Sequence, residues 1–326
     1  PEAPNNPEIL VNLRNMAEKA QAKAGENTIY GKRIDKLLKL MNSTYIGEET
    51  TINTCQTLDS PSTTYKLTQD ISANSTCFTV ITDGVTIDCQ GHTITFATSG
   101  ETDSYGVHVD GESHATITGC TIRGSNADGS HGISLHHTDD TSVTNNAISD
   151  SAIGIYSSSS TNTEVADNTI TAIGTALYLL EPSNSAFEHN DLASTTSRGL
   201  HLYGAHKSNF TGNNFSSSND YGASIWHSHD NTFTNNRGTS GTSSGMFLYQ
   251  SPNNTLQDNH GKSSDGTGLR LHTGSDNNLV TGQSASGGRH GISVANNEGN
   301  TFQDCGTIVG GVRDEGTGTE FINCTW

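Results

Sequence analysis

From about residue 100 onward, apolar and polar positions recur in two alternating elements. The first reads small, apolar, variable, apolar: Gly106-Val107-His108-Val109, Gly132-Ile133-Ser134-Leu135, Gly154-Ile155-Tyr156, Ala176-Leu177-Tyr178-Leu179 and Gly199-Leu200-His201-Leu202. It continues as Gly222-Ala223-Ser224-Ile225, Gly245-Met246-Phe247-Leu248, Gly268-Leu269-Arg270-Leu271, Gly291-Ile292-Ser293-Val294 and a degenerate Gly311-Val312. Successive steps are 26, 22, 22, 23, 23, 23, 23, 23 and 20 residues. The second element sets an apolar residue three positions before a polar or thiol residue, as in Ile117/Cys120, Val143/Asn146, Phe210/Asn213, Phe302/Cys305 and Phe321/Cys324. Two registers that keep phase over ten units signal stacked supersecondary repeats.

Within each element apolar residues alternate with polar ones, which is strand patterning, and no unit has room for a helix. A leucine-rich horseshoe has a similar period but needs more Leu per unit than this chain supplies. The pattern predicts an all-β, right-handed parallel β-helix of about 11 coils of ~23 residues, with equivalent positions stacked ~4.8 Å apart. Asn146, Asn168, Asn190, Asn213, Asn236 and Asn259 are then expected to form an internal ladder, each amide donating to the next coil's carbonyl. Residues 1–49 read differently. Ile9, Leu10, Leu13, Met16, Ala17 and Ala20, then Ile34, Leu37, Leu38 and Met41, recur at helical spacing, interrupted by Gly25 and Gly31. The expected organisation is a short α-helical segment, 1–49, before a β-helix domain, 50–326.

Composition fits the repeat. Only 31% of the 326 residues are hydrophobic and 15% charged, values that suit disorder unless a periodicity accounts for them. A β-helix needs few apolar residues per coil and many Gly, Ser, Asn and Thr turn formers. The formal charge of −18 is uneven. Residues 1–49 hold seven bases and seven acids, so the whole excess falls on the remaining nine bases and 27 acids. An acidic rod of this kind excludes nucleic acid as a partner, and no stretch has the ~18 apolar residues of a membrane span.

The alternation of Gly-Ile-x-Leu and Asn-Asn-x-Ile elements, introduced by Asp83-Gly84-Val85-Thr86-Ile87-Asp88-Cys89-Gln90-Gly91-His92-Thr93-Ile94, resembles the NosD-type family of right-handed β-helix repeats. The resemblance covers about residues 50–326 and stops short of the first 49. It implies an extracytoplasmic location and, often, contact with carbohydrate. Members include lyases, epimerases, adhesins and structural proteins, so the fold does not specify the function.

Stacking geometry suggests how the six cysteines pair. Cys305 and Cys324 hold one repeat position on adjacent coils, Cys89 and Cys120 lie about one coil apart, and Cys55 and Cys77 remain. A separation of ~4.8 Å falls inside the disulfide window, and even pairing suits an oxidising compartment. Free thiols in the Asn ladder are the alternative; metal ligation lacks the usual Cys/His spacing. Sequons at Asn42, Asn74, Asn209, Asn214, Asn253 and Asn323 agree with export. The opening Pro1-Glu2-Ala3-Pro4 is what removal of a signal sequence leaves.

Outward positions one coil apart form stripes. The stripe two residues after the Gly carries His108, Tyr156, Tyr178, His201, Phe247 and Arg270. The stripe four after it carries Asp110, His136, Tyr203, Trp226, Tyr249 and His272. Aromatic faces beside hydrogen-bonding groups suit sugar rings, a protein partner, or simply a ladder that supports the stack. Catalytic candidates are the clusters His136, His137, Asp139, Asp140 and His227, His229, Asp230. They offer bases for removing an α-proton from a uronic acid, although His/Asp clusters at turns are commonly solvated loops. The signatures of pectin-degrading enzymes and alginate epimerases are absent, and no cofactor or metal is called for.

The last coil ends at Trp326 without a capping helix, which solenoids normally provide. The leading expectation is an extracellular, non-catalytic surface or structural protein. It would self-associate head to tail into a filament through residues 1–49 and the uncapped C-terminal coil. The alternative is a polysaccharide lyase or epimerase, or a carbohydrate-binding adhesin, that uses the aromatic and histidine groove.

Overall fold

A computed structural model describes residues 48–125 and 128–326, and the helices expected between residues 1 and 49 lie almost wholly outside this range. The described residues contain strands and turns and no helix. Three parallel sheets form the faces of a solenoid. Sheet A has 13 strands, from Glu49–Ile52 to Glu320–Ile322; sheet B has 12, from Gln56–Leu58 to Val312–Thr317; sheet C has 11, from Ile71–Ser72 to Ile308–Val309. The chain winds from B to A to C and back to B. The result is about 12 turns, not 11. The additional winding lies at Glu49–Ile52 and Gln56–Leu58, where the small-apolar signature is missing.

Alternation fills the core. Ile117, Val143, Val165, Phe187, Phe210, Phe233 and Leu256 point inward from sheet A, and Ile94, Ile122, Ile148, Ile170, Leu192 and Phe215 from sheet C. Phe187, Phe210 and Phe233 stack with ring centroids 4.7 Å apart, so one coil rise places ring on ring. Strand registers hold without a bulge until the last pair of sheet B, between Ala295 and Glu298.

The corners are held by side-chain amides and hydroxyls. At the A-to-C bend the expected Asn ladder is present. The Asn190 backbone N–H donates to Asn213 Oδ1 at 3.0 Å, and Asn213 Nδ2 donates to the Phe187 carbonyl at 2.8 Å. The amides therefore donate back to a backbone carbonyl of the preceding coil, and forward to the next Asn side-chain oxygen, not to the next coil's carbonyl. The ladder is flanked by cystines: Cys89–Cys120 before it and Cys305–Cys324 after it, with Cα separations of 4.7 Å each. Cys55–Cys77 is also bonded, so all six cysteines form the three expected pairs.

A second ladder at the B-to-A bend runs from Ser208 to Asn231, Asn254, Asn278 and Asn300, each backbone N–H donating to the next side-chain oxygen at 2.8–3.0 Å. At the C-to-B bend, Ser194, Ser217, Ser240 and Ser263 donate to backbone carbonyls at the corner.

The small residue that opens each sheet B element is fixed by space. A Cβ on Gly245 would lie 2.3 Å from the Lys262 backbone nitrogen and 2.7 Å from the Gly238 carbonyl oxygen. Its φ is outside the left-handed region, so the demand is steric. Gly245→Ala is expected to cost about 1–3 kcal/mol through coil separation. An unchanged denaturant midpoint would show that the neighbouring strands part freely.

Candidate functional site

Parallel register sets the outward side chains of sheet B into columns. One joins His108, Ser134, Tyr156, Tyr178, His201, Ser224, Phe247, Arg270 and Ser293. A second joins Asp110, His136, Ser158, Leu180, Tyr203, Trp226, Tyr249 and His272. Both are the stripes read from sequence. A third, not anticipated, begins with Tyr105, His131, Ile153 and Thr175, and Arg198 and Tyr221 hold the corresponding place just before their strands. Its signal was available as the residue immediately before each Gly.

Along the later coils these columns make one connected surface. Tyr178 meets His201 edge-on at 4.6 Å, and His201 Nδ1 accepts from Arg198 Nη1. Arg198 also donates through Nε to Asp220 at 3.1 Å and lies 5.9 Å over the Tyr221 ring. Tyr221 stacks on Phe247 at 4.7 Å, and the Arg270 guanidinium lies 5.5 Å from the centroid of the same Phe247 ring. Trp226 donates through its indole N–H to Ser224 at 2.7 Å and sits 4.6 Å from Tyr249, which stacks on His272 at 6.0 Å. Phe247 is only 5% exposed and Ser224 is buried, so Phe247 anchors this outer layer and cannot itself be a sugar platform. Tyr203 is exposed and touches His227 at 4.9 Å.

The electrostatics of this surface favour neutral rings beside fixed cations. Burial, then the Arg198 charge, holds His201 down to about 4. Because a guanidinium can only donate, Nδ1 accepts and the proton sits on Nε2, which makes His201 an outward N–H donor. Burial, then Arg270, also lowers the pKa of His272, whose Nδ1 is 2.8 Å from Thr273 Oγ1. Among the described residues Arg270 has no carboxylate partner.

The earlier coils hold a different cluster. Tyr105 stacks on His108 at 4.6 Å, and His131 lies 5.0 Å from Tyr156. His136 lies 5.1 Å from Tyr156 and 5.6 Å from His108, with Nδ1 bonded to Ser158 Oγ at 2.9 Å.

The two predicted His/Asp clusters do not converge. Apart from His136, which belongs to sheet B, they lie on the B-to-A bend, four coils or about 19 Å apart at ~4.8 Å per coil. His137 pairs with Asp110 at 3.5 Å, Asp140 with His114 at 3.6 Å, and His229 with Asp230 at 2.9 Å. Asp139 accepts from Thr161 and Asn162. His137, Asp140, His227 and Asp230 have φ of 51°, 52°, 50° and 58°. Short polar residues tolerate that left-handed geometry, so local turn structure accounts for these residue types. Of the sequons, Asn74, Asn209, Asn253 and Asn323 are exposed, Asn214 is half-buried, and Asn42 lies outside the described residues.

A family model described as "right handed beta helix region" matches residues 71–237, about half of the chain. The chain belongs to the right-handed β-helix family. A second, described as periplasmic copper-binding protein (NosD), matches residues 180–316 of this β-helix protein. No curated protein sequence matches it. Among solved structures it is similar to the periplasmic alginate epimerase AlgG, at 13% identity and a TM-score of 0.63 over 82% of this chain and 77% of that one. It is similar to DFA-IIIase from Arthrobacter chlorophenolicus A6, at 13% identity and 0.54 over 78% and 81%. An α-1,3-glucanase from Streptomyces thermodiastaticus aligns at 15% identity and 0.50 over 85% and 62%. At these identities the likeness is one of fold.

Copper, suggested by the second family's description, does not fit. Among the described residues no three His, Cys, Asp or Glu side chains converge to hold a metal, and every cysteine is in a disulfide.

Proposed function

We propose that this protein is an exported polysaccharide-processing protein that takes an acidic sugar chain along the outer face of sheet B, with lyase or epimerase chemistry centred on Arg270, His272 and Tyr249. The observation that carries this reading is Arg270: a half-buried guanidinium, stacked on Phe247 and unpaired among the described residues of a chain with charge −18. Such a group suits a carboxylate. The flanking Trp226 and Tyr249 offer ring faces, and one glycosyl unit of an extended polymer advances by about one coil.

Removing the α-proton of a bound uronate leaves charge on the carboxylate, where Arg270 neutralises it. His272 is the base in this reading. With Thr273 Oγ1 accepting from Nδ1–H, Nε2 is bare and takes the proton. Tyr249 O–H then gives its proton to the departing glycosidic oxygen to leave an unsaturated end, or a proton from water returns to the opposite face of the same carbon to give the epimer. Because burial lowers the His272 pKa, the acid limb of activity falls below the ordinary imidazole value of ~6.5. Export is supported by the three disulfides and by the periplasmic relatives. The filament reading rests on residues 1–49, which supply no support because residues 1–47 lie outside the described range.

Incubation with polyuronates in heavy water should put deuterium at the α-carbon or generate unsaturated ends. Arg270→Ala should lower kcat/KM by about 10²-fold or more. Binding without turnover would make the face a carbohydrate-binding surface only; neither binding nor turnover would overturn the reading.

A further inference from the structure

The early coils of sheet B carry a cluster that the proposed chemistry leaves unused. Tyr105, His108, His131, His136 and Tyr156 come from three successive strands and touch one another through ring contacts of 4.6–5.6 Å, with Ser134 in register between His108 and Tyr156. Three of their polar atoms are buried without a partner among the described residues: His108 Nδ1, His131 Nδ1 and Ser134 Oγ. An orphaned N–H is the costlier state, so the bare nitrogen belongs inside and the N–H at Nε2. The Nε2 atoms of His108, His131 and His136 have no protein partner among the described residues and are not among the buried orphans. The cluster thus presents the Nε2–H donors of His108 and His131 between two tyrosine rings.

Charge separates this cluster from the Arg270 end. Among the described residues, no lysine or arginine lies beside these side chains. The ionisable groups around the three imidazoles are Asp103, Asp110, His137, Tyr105 and Tyr156. Burial is the first cause that holds all three rings toward the neutral form. Neutral donors beside two carboxylates disfavour an anionic ligand and suit hydroxyl groups on an uncharged ring.

We infer that the His108, His131 and His136 cluster is a second sugar subsite, selective for an uncharged glycosyl unit of the same polymer whose acidic unit sits at Arg270. The inference rests on the proposed polysaccharide reading and extends it to a ligand of mixed charge. Eight sheet B strands separate Tyr105 from His272 inclusively, about 34 Å at ~4.8 Å per coil, so the ligand would be an extended oligomer of about eight units.

The test uses the full chain and octamers of galacturonate and of mannuronate, each intact or carboxyl-reduced at one end, with affinities from calorimetry. The wild type should bind an end-reduced octamer about tenfold more tightly than its intact counterpart. Tyr156→Leu should abolish that preference, so that the end-reduced and intact octamers bind with equal affinity. His131→Gln, read beside its melting temperature, gives a second variant should Tyr156→Leu fold poorly. If no uronate binds, the polysaccharide reading itself fails. If intact octamers bind but end reduction brings no gain, or the gain survives both variants, only the second subsite is overturned.

Discussion

Asn213→Ala should destabilise the solenoid by about 4 kcal/mol, although it removes no apolar contact and lies far from either sheet edge. Asn213 Oδ1 accepts both the Asn190 backbone N–H at 3.0 Å and Asn190 Nδ2 at 2.9 Å. Its Nδ2 donates to the Phe187 carbonyl at 2.8 Å and to Asn236 Oδ1 at 2.9 Å. The substitution strands one buried N–H outright and removes three further bonds. An unsatisfied buried group costs about 1–3 kcal/mol and each lost bond ~1 kcal/mol, so the low end of the sum is already large. Asn214 is the internal control. It is half-buried, and its Nδ2 donates to Asp191 at 2.7 Å on the outer surface, so Asn214→Ala should shift stability by less than ~1 kcal/mol. Equal denaturant midpoints for the two variants would show that the ladder contributes no more than a surface bond. The same logic gives the reverse effect at Gln283, which occupies a ladder position with Oε1 buried and unpartnered. Gln283→Asn should stabilise, by on the order of 1 kcal/mol.

The ladder also shows why the fold was legible and the site was less so. A coil that repeats its geometry repeats its demands, so Asn recurs wherever a bend needs one donor and one acceptor. Gly recurs at the head of the sheet B elements, where backbone of a neighbouring strand lies 2.3–2.8 Å from a would-be Cβ. Cysteines fell into pairs because they hold stacked positions. The second Asn ladder was missed because Ser185 and Ser208 do the same work in earlier coils, which hides the register behind a change of residue type. Outward positions obey no such demand. A polar residue there can serve a ligand, a turn or its neighbour, and sequence does not separate these. His137 and Asp230 resembled catalytic groups because left-handed turn positions favour the same short polar residues. Phe247 resembled an exposed platform, but side chains on a nearly flat sheet cover one another, and Tyr221, Trp226 and Arg270 bury it. The residues that now matter most, Arg270 and His272, were in the predicted stripes. What sequence lacked was the information that, among the described residues, Arg270 has no carboxylate partner.

Acidification should weaken the protein between pH 6.5 and about 4, and His131 should carry a large share of that loss. Burial first, then the neighbouring His136 imidazole, holds His131 down from 6.5 to about 4, against a smaller opposite pull from Asp103. The unfolded chain therefore takes up a proton below pH 6.5 that the folded chain refuses until about pH 4. The unfolded state binds more protons throughout that window, so stability rises with pH across it and is whole above 6.5. A gap of this size corresponds to ~3 kcal/mol, fully expressed below pH 4. His131→Gln removes the titrating group, so its stability should fall less steeply with acid than that of the wild type, measured as denaturant midpoints from pH 7.5 to 4. Asp and Glu protonation contributes to both proteins and cancels in the difference between the two curves. His201, held down to about 4 by burial and Arg198, works in the same direction, so some slope should survive in the variant. Parallel curves for wild type and His131→Gln would mean that the ring opens to solvent well before the coils part. The outward face of the early coils would then be a loosely packed layer, and its buried orphan nitrogens would no longer argue for a preformed subsite.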